Sequence, residues 1–320
     1  MTMTCSADVR IERYDSHRHA IWDDFVRGSR NGHFMLQRAY MDYHAHRFAD
    51  ESLLFFRGDR LVAALPAHRC DGTLASHTGL PFAGLIVGPR TVHSDVRAVF
   101  DALGDYMSTN HLTRFTCTPT PVWYHSTPFE DDIYVLYALG ARCTRMKLSA
   151  GFPGAAPPCR SAQTAKELRR LERKYACVFR EIDDVAAFWP PLERFLCEYH
   201  GVRPVHTTQE MALLKSRFPR EIRMVVAEAG GEVVAGLLIY LTGRVQRSQY
   251  VFRCGGDDRA RISSRLILHV ASHPEYQRAW HDLGTSVNPL TGQIDAGILL
   301  NKEITGARGT IVQSWTWEPA

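Results

Sequence analysis

The chain has 320 residues, of which 45% are hydrophobic and 22% are charged, and its formal net charge at pH 7 is +4. This length predicts two domains, and the composition is typical of folded proteins rather than of disordered chains or disulfide scaffolds. The charge is too small to favour nucleic acid over a ligand that carries phosphates, so it identifies no partner.

The cysteines and the N-terminal segment indicate the cellular compartment. Eight cysteines are present without a C-x-x-C pair or a close Cys/His spacing, so the sequence supports no metal site and no redox motif. The first residues lack an apolar signal core, and no apolar run approaches the ~20 residues of a membrane span. We therefore expect free thiols, no metal, no membrane or DNA partner, and a cytoplasmic location.

The first half begins with helices and continues with a hairpin. Helical spacing of Ile21, Trp22, Phe25 and Val26 predicts a helix that ends at a glycine, and a second helix is predicted near residues 37–47. Two apolar runs flank residues 57–60, where Gly and Asp stand in positions that turns favour, and this pattern predicts the hairpin.

A segment rich in Gly, Pro, Ala and Ser at 148–162 predicts a linker, and we place the domain boundary there, giving domains 1–150 and 151–320. A charged helix is predicted next at 163–176, with Leu168, Leu171 and Tyr175 on its inner face. Its charges are interpreted as a solvated face, with contact to ligand phosphates as the alternative.

The second half repeats the order of the first. Apolar runs around Gly230 and Gly231 predict one hairpin, and runs at 233–241 and 245–254 predict another. A helix (262–272), a strand (278–286), a helix ended by Gly306 and a strand (309–317) are predicted to follow. This order favours a mostly antiparallel sheet with a cleft and a helix N-terminus directed at an anionic group.

Several long segments resemble the FemAB-like branch of the GNAT acyltransferase superfamily, which includes bacterial N-acyltransferases for nucleotide-linked amino sugars. They are residues 50–68, 76–87, 121–141, 204–240, 249–250 and 283–308. The resemblance implies an α+β (mixed α/β) fold of two tandem GNAT-like domains, each with a mostly antiparallel central sheet flanked by helices. In such domains two central strands splay apart to hold the pantetheine arm of acyl-CoA.

The resemblance also implies an activity. We expect an enzyme that transfers an acyl group from acetyl-CoA or a longer acyl-CoA to the amine of a nucleotide-linked amino sugar, in polysaccharide biosynthesis. An acyl carrier protein as donor and partner, an aminoacyl-tRNA-dependent FemAB-type reaction, and a non-catalytic GNAT-fold binding module are the alternatives. The acyl group, the sugar and the oligomeric state, including a homo-oligomer, stay open.

Amide formation from a thioester needs a neutral amine, donors for the carbonyl oxygen and a proton for the leaving group. His206 is the first candidate base, with a helix cap as its alternative role. Tyr250, on a central strand, is a candidate acid or a core residue. Asp282 and Ser286, at the end of a strand, complete the catalytic candidates.

The ligand-binding candidates come from positions that match the branch. Arg259, Arg261, Ser263 and Ser264 stand where GNAT proteins carry the phosphate-loop pattern R/Q-x-x-G-x-G/A, which this chain keeps only in part. A helix start can hold phosphate without glycine. Candidates for substrate binding in both halves are His77, Tyr124, His125, Gln249, Asn288 and Lys302. Asn288 replaces the glutamate of a common Ser-x-Glu, which removes a carboxylate.

Overall fold

The structure is a computed structural model that describes residues 9–154, 159–255, 261–288 and 291–319. Contacts between residues divide the chain into two units. Unit 1 comprises residues 1–146 together with 312–320, and unit 2 comprises residues 147–311. Residues 312–319 are thus grouped with unit 1, and the predicted domain bounds, 1–150 and 151–320, stay predictions.

Unit 1 begins with a strand and a helix and contains two sheets. Its strands are β1 (Val9–Arg13), β2 (Ala49–Asp50), β3 (Leu53–Arg57), β4 (Arg60–Leu65), β5 (His68–Cys70), β6 (Thr73–Ala75), β7 (Ile86–Val87) and β8 (Arg114–Cys117). Its helices are α1 (His19–Gly28), α2 (Arg38–Met41), α3 (His93–Thr109) and α4 (Asp131–Ala138), with 3-10 turns at Ser16–Arg18, Phe34–Leu36, Asp42–Arg47 and Val122–Tyr124.

The chain enters unit 2 within strand β9 (Arg142–Pro153). The strands that follow are β10 (Val178–Ile182), β11 (Ile222–Ala229), β12 (Glu232–Leu241), β13 (Val245–Arg253) and β14 (Trp280–Thr285), and β15 (Arg308–Trp317) returns to unit 1. The helices are α5 (Ala162–Lys174), α6 (Val185–His200), α7 (Thr208–Arg217), α8 (Ile262–Ser272) and α9 (Ala296–Ile304). Across the described ranges, every helix is too short or too polar to cross a bilayer.

In unit 1, one sheet has the order β1-β3-β4-β7, and the strands β15-β8-β6-β5-β2 follow one another in a second sheet. The predicted hairpin is β3 and β4, which pair antiparallel from Leu53↔Leu65 to Arg57↔Arg60. The first predicted helix is α1, whose Trp22 and Val26 are buried while Ile21 is 47% exposed. The helix therefore exists as predicted, but its buried face is narrower than the apolar pattern indicated.

In unit 2, the strands lie in the order β10-β11-β12-β13-β14-β9. Both predicted hairpins are present, because β11 pairs antiparallel with β12 and β12 pairs antiparallel with β13. Val234, Leu237 and Ile239 of β12 pack against Leu266 and other apolar residues of α8 in one buried core. This core fixes α8 against the centre of the sheet.

The linker predicted at 148–162 begins instead as strand. Residues up to Pro153 belong to β9, and Ser149–Phe152 are buried and pair with β14. Small residues are required there, because a Cβ on Gly151 would lie 2.5 Å from the carbonyl oxygen of His281. A run of small residues thus marked close packing of two strands rather than a loop. Residues 155–158 lie outside the described ranges.

Candidate active site

An opening between β13 and β14 is the main feature of unit 2. The two strands are parallel and pair over only three positions, from Val245↔Trp280 to Arg247↔Asp282. Beyond Asp282, β14 continues along β9 with an irregular register, and Gly284 has a φ of +72°. β12 and β13, by contrast, pair over their length. The predicted splay therefore lies between β13 and β14, and the part of β13 after Arg247 has no register partner in β14.

A bulge in β13 lies beside this opening. Leu238 of β12 pairs with Tyr250 and Ile239 pairs with Ser248, so Gln249 is the extra residue. A bulge interrupts the ladder of main-chain hydrogen bonds and redirects the side chains that follow. The Gln249 side chain accepts a hydrogen bond of 3.1 Å from Arg247 Nε. It therefore orients a neighbour, and its predicted contact with substrate stays a prediction.

A cavity of about 320 Å³ occupies this region of unit 2. It is bounded by the C-terminal end of α6, by β13 and β14, and by α8 and α9. The lining residues are Phe195, Tyr199, His200, Ser248, Val251, Phe252, Arg253, Ser263, Ser264, Ile267, Leu283, Asp295, Gly297, Ile298, Asn301 and Lys302. The walls thus combine apolar and aromatic side chains with polar and charged ones in about equal number, and such a mixture can hold and orient a small ligand.

Lys302 on α9 is the group in the cavity with the most perturbed protonation. Its Nζ donates hydrogen bonds to the carbonyl oxygens of Gly284 at 2.7 Å and Thr285 at 2.6 Å. Burial lowers the pKa of this amine from 10.5 to about 7. The negative charge of Asp282 opposes this decrease, and the positive charge of Arg247 adds to it. A lysine with this pKa can take up and release a proton near neutral pH.

Asp282 is held in a buried network. One of its oxygens forms an ion pair of 2.6 Å with Arg247, and the other accepts from Ser149 Oγ at 3.1 Å and from Gly284 N at 2.8 Å. The carboxylate is 2% exposed and does not line the cavity. These contacts fix the end of β14 and favour a structural role for Asp282. Its predicted catalytic role stays a prediction.

Two of the catalytic candidates, His206 and Tyr250, are in direct contact with each other. The His206 Nδ1 and the Tyr250 hydroxyl share a hydrogen bond of 2.7 Å, and the histidine is 5% exposed. The cap of α7 is Thr207, which forms a capping box with Glu210, so His206 is not the capping residue. The Tyr250 ring packs against Trp189 of α6, and neither member of the pair is among the cavity-lining residues.

The predicted phosphate-binding residues are only partly at the cavity. Ser263 and Ser264, in the first turn of α8, line it. Arg261 precedes the helix and forms an ion pair of 2.9 Å with Glu167 of α5. Arg259 lies outside the described residues. The first turn of α8 thus borders the cavity through Ser263 and Ser264, and its predicted contact with a ligand phosphate stays a prediction.

Two further candidates lie in the segment after β14. Ser286 is fully buried, and its hydroxyl has no hydrogen-bond partner within the described residues. Its main chain bonds Leu148 and Asp295, the residue that caps α9. Asn288 accepts a bond from Thr291 N at 3.2 Å within the following turn. Neither residue lines the cavity, so their predicted roles stay predictions.

The three candidates of the first half belong to unit 1, and all are buried there. His77 has a φ of +38° and contacts the rings of His44 and His68, with centroid distances of 5.1 and 5.9 Å. Tyr124 packs on Phe82, and His125 Nε2 donates to the carbonyl oxygen of Thr120 at 2.8 Å. In unit 1 these side chains are core residues, and their predicted contact with an acceptor stays a prediction.

Sequence reasoning missed much of the cavity. Phe195, Tyr199, Arg253 and Asn301 line it, yet none of them was a candidate, although Asn301 lies within the resembling segment 283–308. The signal that was available is weak: Phe195 and Tyr199 are four residues apart, and side chains at this spacing meet on one face of a helix. Only the packing of α6 against β13 shows that this face borders the cavity.

No protein-family model matches the sequence, and no curated protein matches it. Solved structures match over nearly its whole length. FemX has 10% identity, 97% of each chain covered and a TM-score of 0.65. The C-terminal domain of a protein assigned as a lysylphosphatidylglycerol synthetase from Agrobacterium fabrum has 10% identity, 94% of this chain and 91% of its own chain covered, and a TM-score of 0.60.

A tandem GNAT protein from the clavulanic acid biosynthesis pathway has 15% identity, 97% of this chain and 98% of its own chain covered, and a TM-score of 0.53. At 10–15% identity these likenesses show the fold and not the activity. The α+β sheets with flanking helices and the full-length match to a tandem GNAT protein confirm the predicted fold class: the chain has a tandem GNAT-like fold.

Proposed function

We propose that this chain is a transferase that moves an acyl group from an activated donor to an amine. The observation that carries the proposal is the opening between β13 and β14, with a cavity at its side that contains Lys302. A strand without a register partner offers main-chain N–H groups to the carbonyl oxygen of a donor, where negative charge develops during attack.

Lys302 is the group we assign to proton transfer. Its Nζ donates to two carbonyl oxygens, which leaves one position on the nitrogen, a lone pair when neutral or an N–H when charged. As the acceptor nitrogen forms its bond to the carbonyl carbon, neutral Lys302 takes the proton that the nitrogen must lose. The C–S or C–O bond of the donor then breaks, and the ammonium returns a proton to the leaving group.

The donor is proposed to be acetyl-CoA or a longer acyl-CoA, bound with its phosphates at the first turn of α8, where Ser263 and Ser264 lie. The acceptor is proposed to be the amine of a nucleotide-linked amino sugar. An aminoacyl-tRNA-dependent FemAB-type reaction is the second candidate, because the fold is similar to FemX over 97% of the chain. Both reactions form an amide by the same steps and use the same cavity.

The test is an assay of the purified protein with a panel of acyl-CoAs and nucleotide-linked amino sugars, in which released thiol is measured. Lys302→Met should lower kcat by about 10²–10⁴, the usual contribution of a general base, and Lys302→Arg should not restore it. Lys166→Met, at an exposed lysine of α5, is the matched control and should keep full activity. Loss of activity after ribonuclease treatment would favour the tRNA donor.

His206 and Tyr250 are the competing assignment for proton transfer. If this pair were the base, Tyr250→Phe would lower kcat as strongly as Lys302→Met, since the hydrogen bond of 2.7 Å would be lost. We expect a decrease below tenfold, because neither side chain lines the cavity. Absence of turnover with every CoA donor and with aminoacyl-tRNA would contradict the proposed function and favour a non-catalytic binding module.

A further inference from the structure

Aromatic side chains gather beside an arginine at one end of the cavity. Phe195, Tyr199 and His200 stand at the C-terminal end of α6, with the Phe195 ring 5.1 Å from that of Tyr199 and 5.4 Å from that of His200. The guanidinium of Arg253, the last residue of β13, lies 4.7 Å from the Tyr199 ring centroid and 5.9 Å from that of Phe195. All four residues line the cavity.

Arg253 lacks a counter-ion within the described part of the chain, where no carboxylate lies in ion-pair range of it. Its polar contact there is a long one, 3.4 Å from Nη1 to the carbonyl oxygen of Gly255. Stacking on the aromatic rings holds the guanidinium in place, and among the described residues its N–H donors have only this long contact. Such a planar, positioned cation suits a phosphate or carboxylate, which it can bind through two parallel hydrogen bonds.

The charges in the cavity favour an anionic ligand. Among the lining residues Arg253 carries a fixed positive charge, Lys302 is an amine with a pKa near 7, and Asp295 is the one carboxylate. Asp295 is already used, since its Oδ1 accepts the Ile298 N–H at 2.9 Å and caps α9. A bound anion would therefore meet the Arg253 cation, an amine that can become charged, and a carboxylate that is already hydrogen-bonded.

Tyr199 is 51% exposed although its ring is large and borders the cavity. The contact between Tyr199 and Phe195 on the helix surface contributes only a small gain in helix stability. It does not explain why an aromatic ring is exposed to water beside a guanidinium. A flat heterocycle stacked on this ring would cover it, and such stacking tolerates different bases.

We propose that Tyr199, Phe195 and Arg253 form a binding site for a nucleoside diphosphate, in which the base stacks on Tyr199 and the diphosphate pairs with Arg253. The remainder of the ligand would then extend along the cavity towards Lys302. The inference rests on the proposed function, because it names the group that this site recognises. A nucleoside diphosphate is part of a nucleotide-linked acceptor and also of the adenosine end of CoA. The identity of the base that binds more tightly distinguishes these two sources.

The test is calorimetric titration of the full chain with dTDP, UDP, CoA and inorganic pyrophosphate. We expect dTDP and UDP, or CoA, to bind at least about tenfold more tightly than pyrophosphate, since stacking of one base contributes a factor of this size. Tighter binding of the pyrimidine nucleotides assigns the site to the acceptor, and tighter binding of CoA assigns it to the donor.

Variants separate the two contacts. Tyr199→Leu should weaken nucleotide binding about tenfold and leave pyrophosphate binding unchanged, whereas Tyr199→Phe should keep both. Arg253→Gln should weaken nucleotide and pyrophosphate alike. Tyr137→Leu, at a tyrosine of unit 1 that is 69% exposed, is the matched control and should bind as the unaltered chain does.

Equal affinity for nucleotides and pyrophosphate, or Tyr199→Leu binding within twofold of the unaltered chain, would overturn the inference. Failure here is distinguishable from failure of the proposed function. Nucleotide binding that depends on Tyr199 without any acyl transfer would remove the transferase proposal alone. Acyl transfer by a chain whose Tyr199 does not affect nucleotide binding would remove this inference alone.

Discussion

The lowered pKa of Lys302 predicts an unusual dependence of stability on pH. The folded chain binds the lysine proton with a pKa near 7, whereas an unfolded lysine has the ordinary value of 10.5. Between these values the unfolded state carries one proton more than the folded state. The free energy of unfolding therefore rises with pH in this window, by about 1.4 kcal/mol per pH unit at most.

The size of the effect follows from the shift. A decrease from 10.5 to about 7 corresponds to up to about 5 kcal/mol, which the partial access of water to this half-buried side chain reduces. Burial is the main cause, so the neutral amine is the form that the folded cavity favours. Lys302→Met removes the titrating group and with it this part of the pH dependence.

Urea unfolding of the unaltered chain and of Lys302→Met, from about pH 7 to about pH 10, measures the difference directly. We expect the unaltered chain to gain stability relative to the variant as pH rises through this range. Lys166→Met, at an exposed position, should follow the unaltered chain at every pH. A difference between the unaltered chain and Lys302→Met that stays constant with pH would refute the reasoning, because the lysine would then titrate normally in the folded state.

Three further predictions concern packing and buried charge. Asp282→Asn should destabilise unit 2 by about 1–3 kcal/mol, since it removes the buried carboxylate that pairs with the half-buried Arg247, and denaturant unfolding measures the loss. If the variant unfolds at the same urea concentration as the unaltered chain, the pair is not the anchor of β14. Gly236→Ala should cost about 1–3 kcal/mol, because its Cβ would lie 2.1 Å from the Phe252 ring, whereas Gly243→Ala, with open space around it, should be nearly neutral. Burial, with smaller contributions from neighbouring histidines, lowers the pKa of His77 from 6.5 to about 3, so stability should decrease as pH falls through this range. His77→Asn, which tolerates the positive φ, should make that decrease smaller in acid titrations followed by circular dichroism, and an unchanged slope would contradict the prediction.

The cavity changes which residue is the first candidate for the base. Sequence reasoning placed the base at His206 and assigned Lys302 to substrate binding. The fold brings His206 to Tyr250 instead, and neither residue lines the cavity. It brings the Lys302 amine onto the carbonyl oxygens of Gly284 and Thr285. The difference arises because the protonation of a lysine depends on burial, and burial is set by residues distant in sequence.

The local elements were readable from the sequence because each depends on neighbours along the chain. The hairpins around Gly58 and Gly230, the helix 262–272 and the helix ended by Gly306 follow from turn residues and the period of apolar side chains, and the structure contains all of them. The resemblance to tandem GNAT proteins added the fold class, which the full-length structural match confirms.

The tertiary structure decided the rest, since it depends on contacts between distant segments. Strand β9 replaced a predicted linker because Gly151 fits against β14, and the splay was placed between β13 and β14 by the three positions at which they pair. The cavity joins residues from 195 to 302, and the pKa of Lys302 follows from their packing. The period of apolar residues and the composition indicate which residues are buried, but not which segments contact one another. The chemistry of the site depends on those contacts between distant segments.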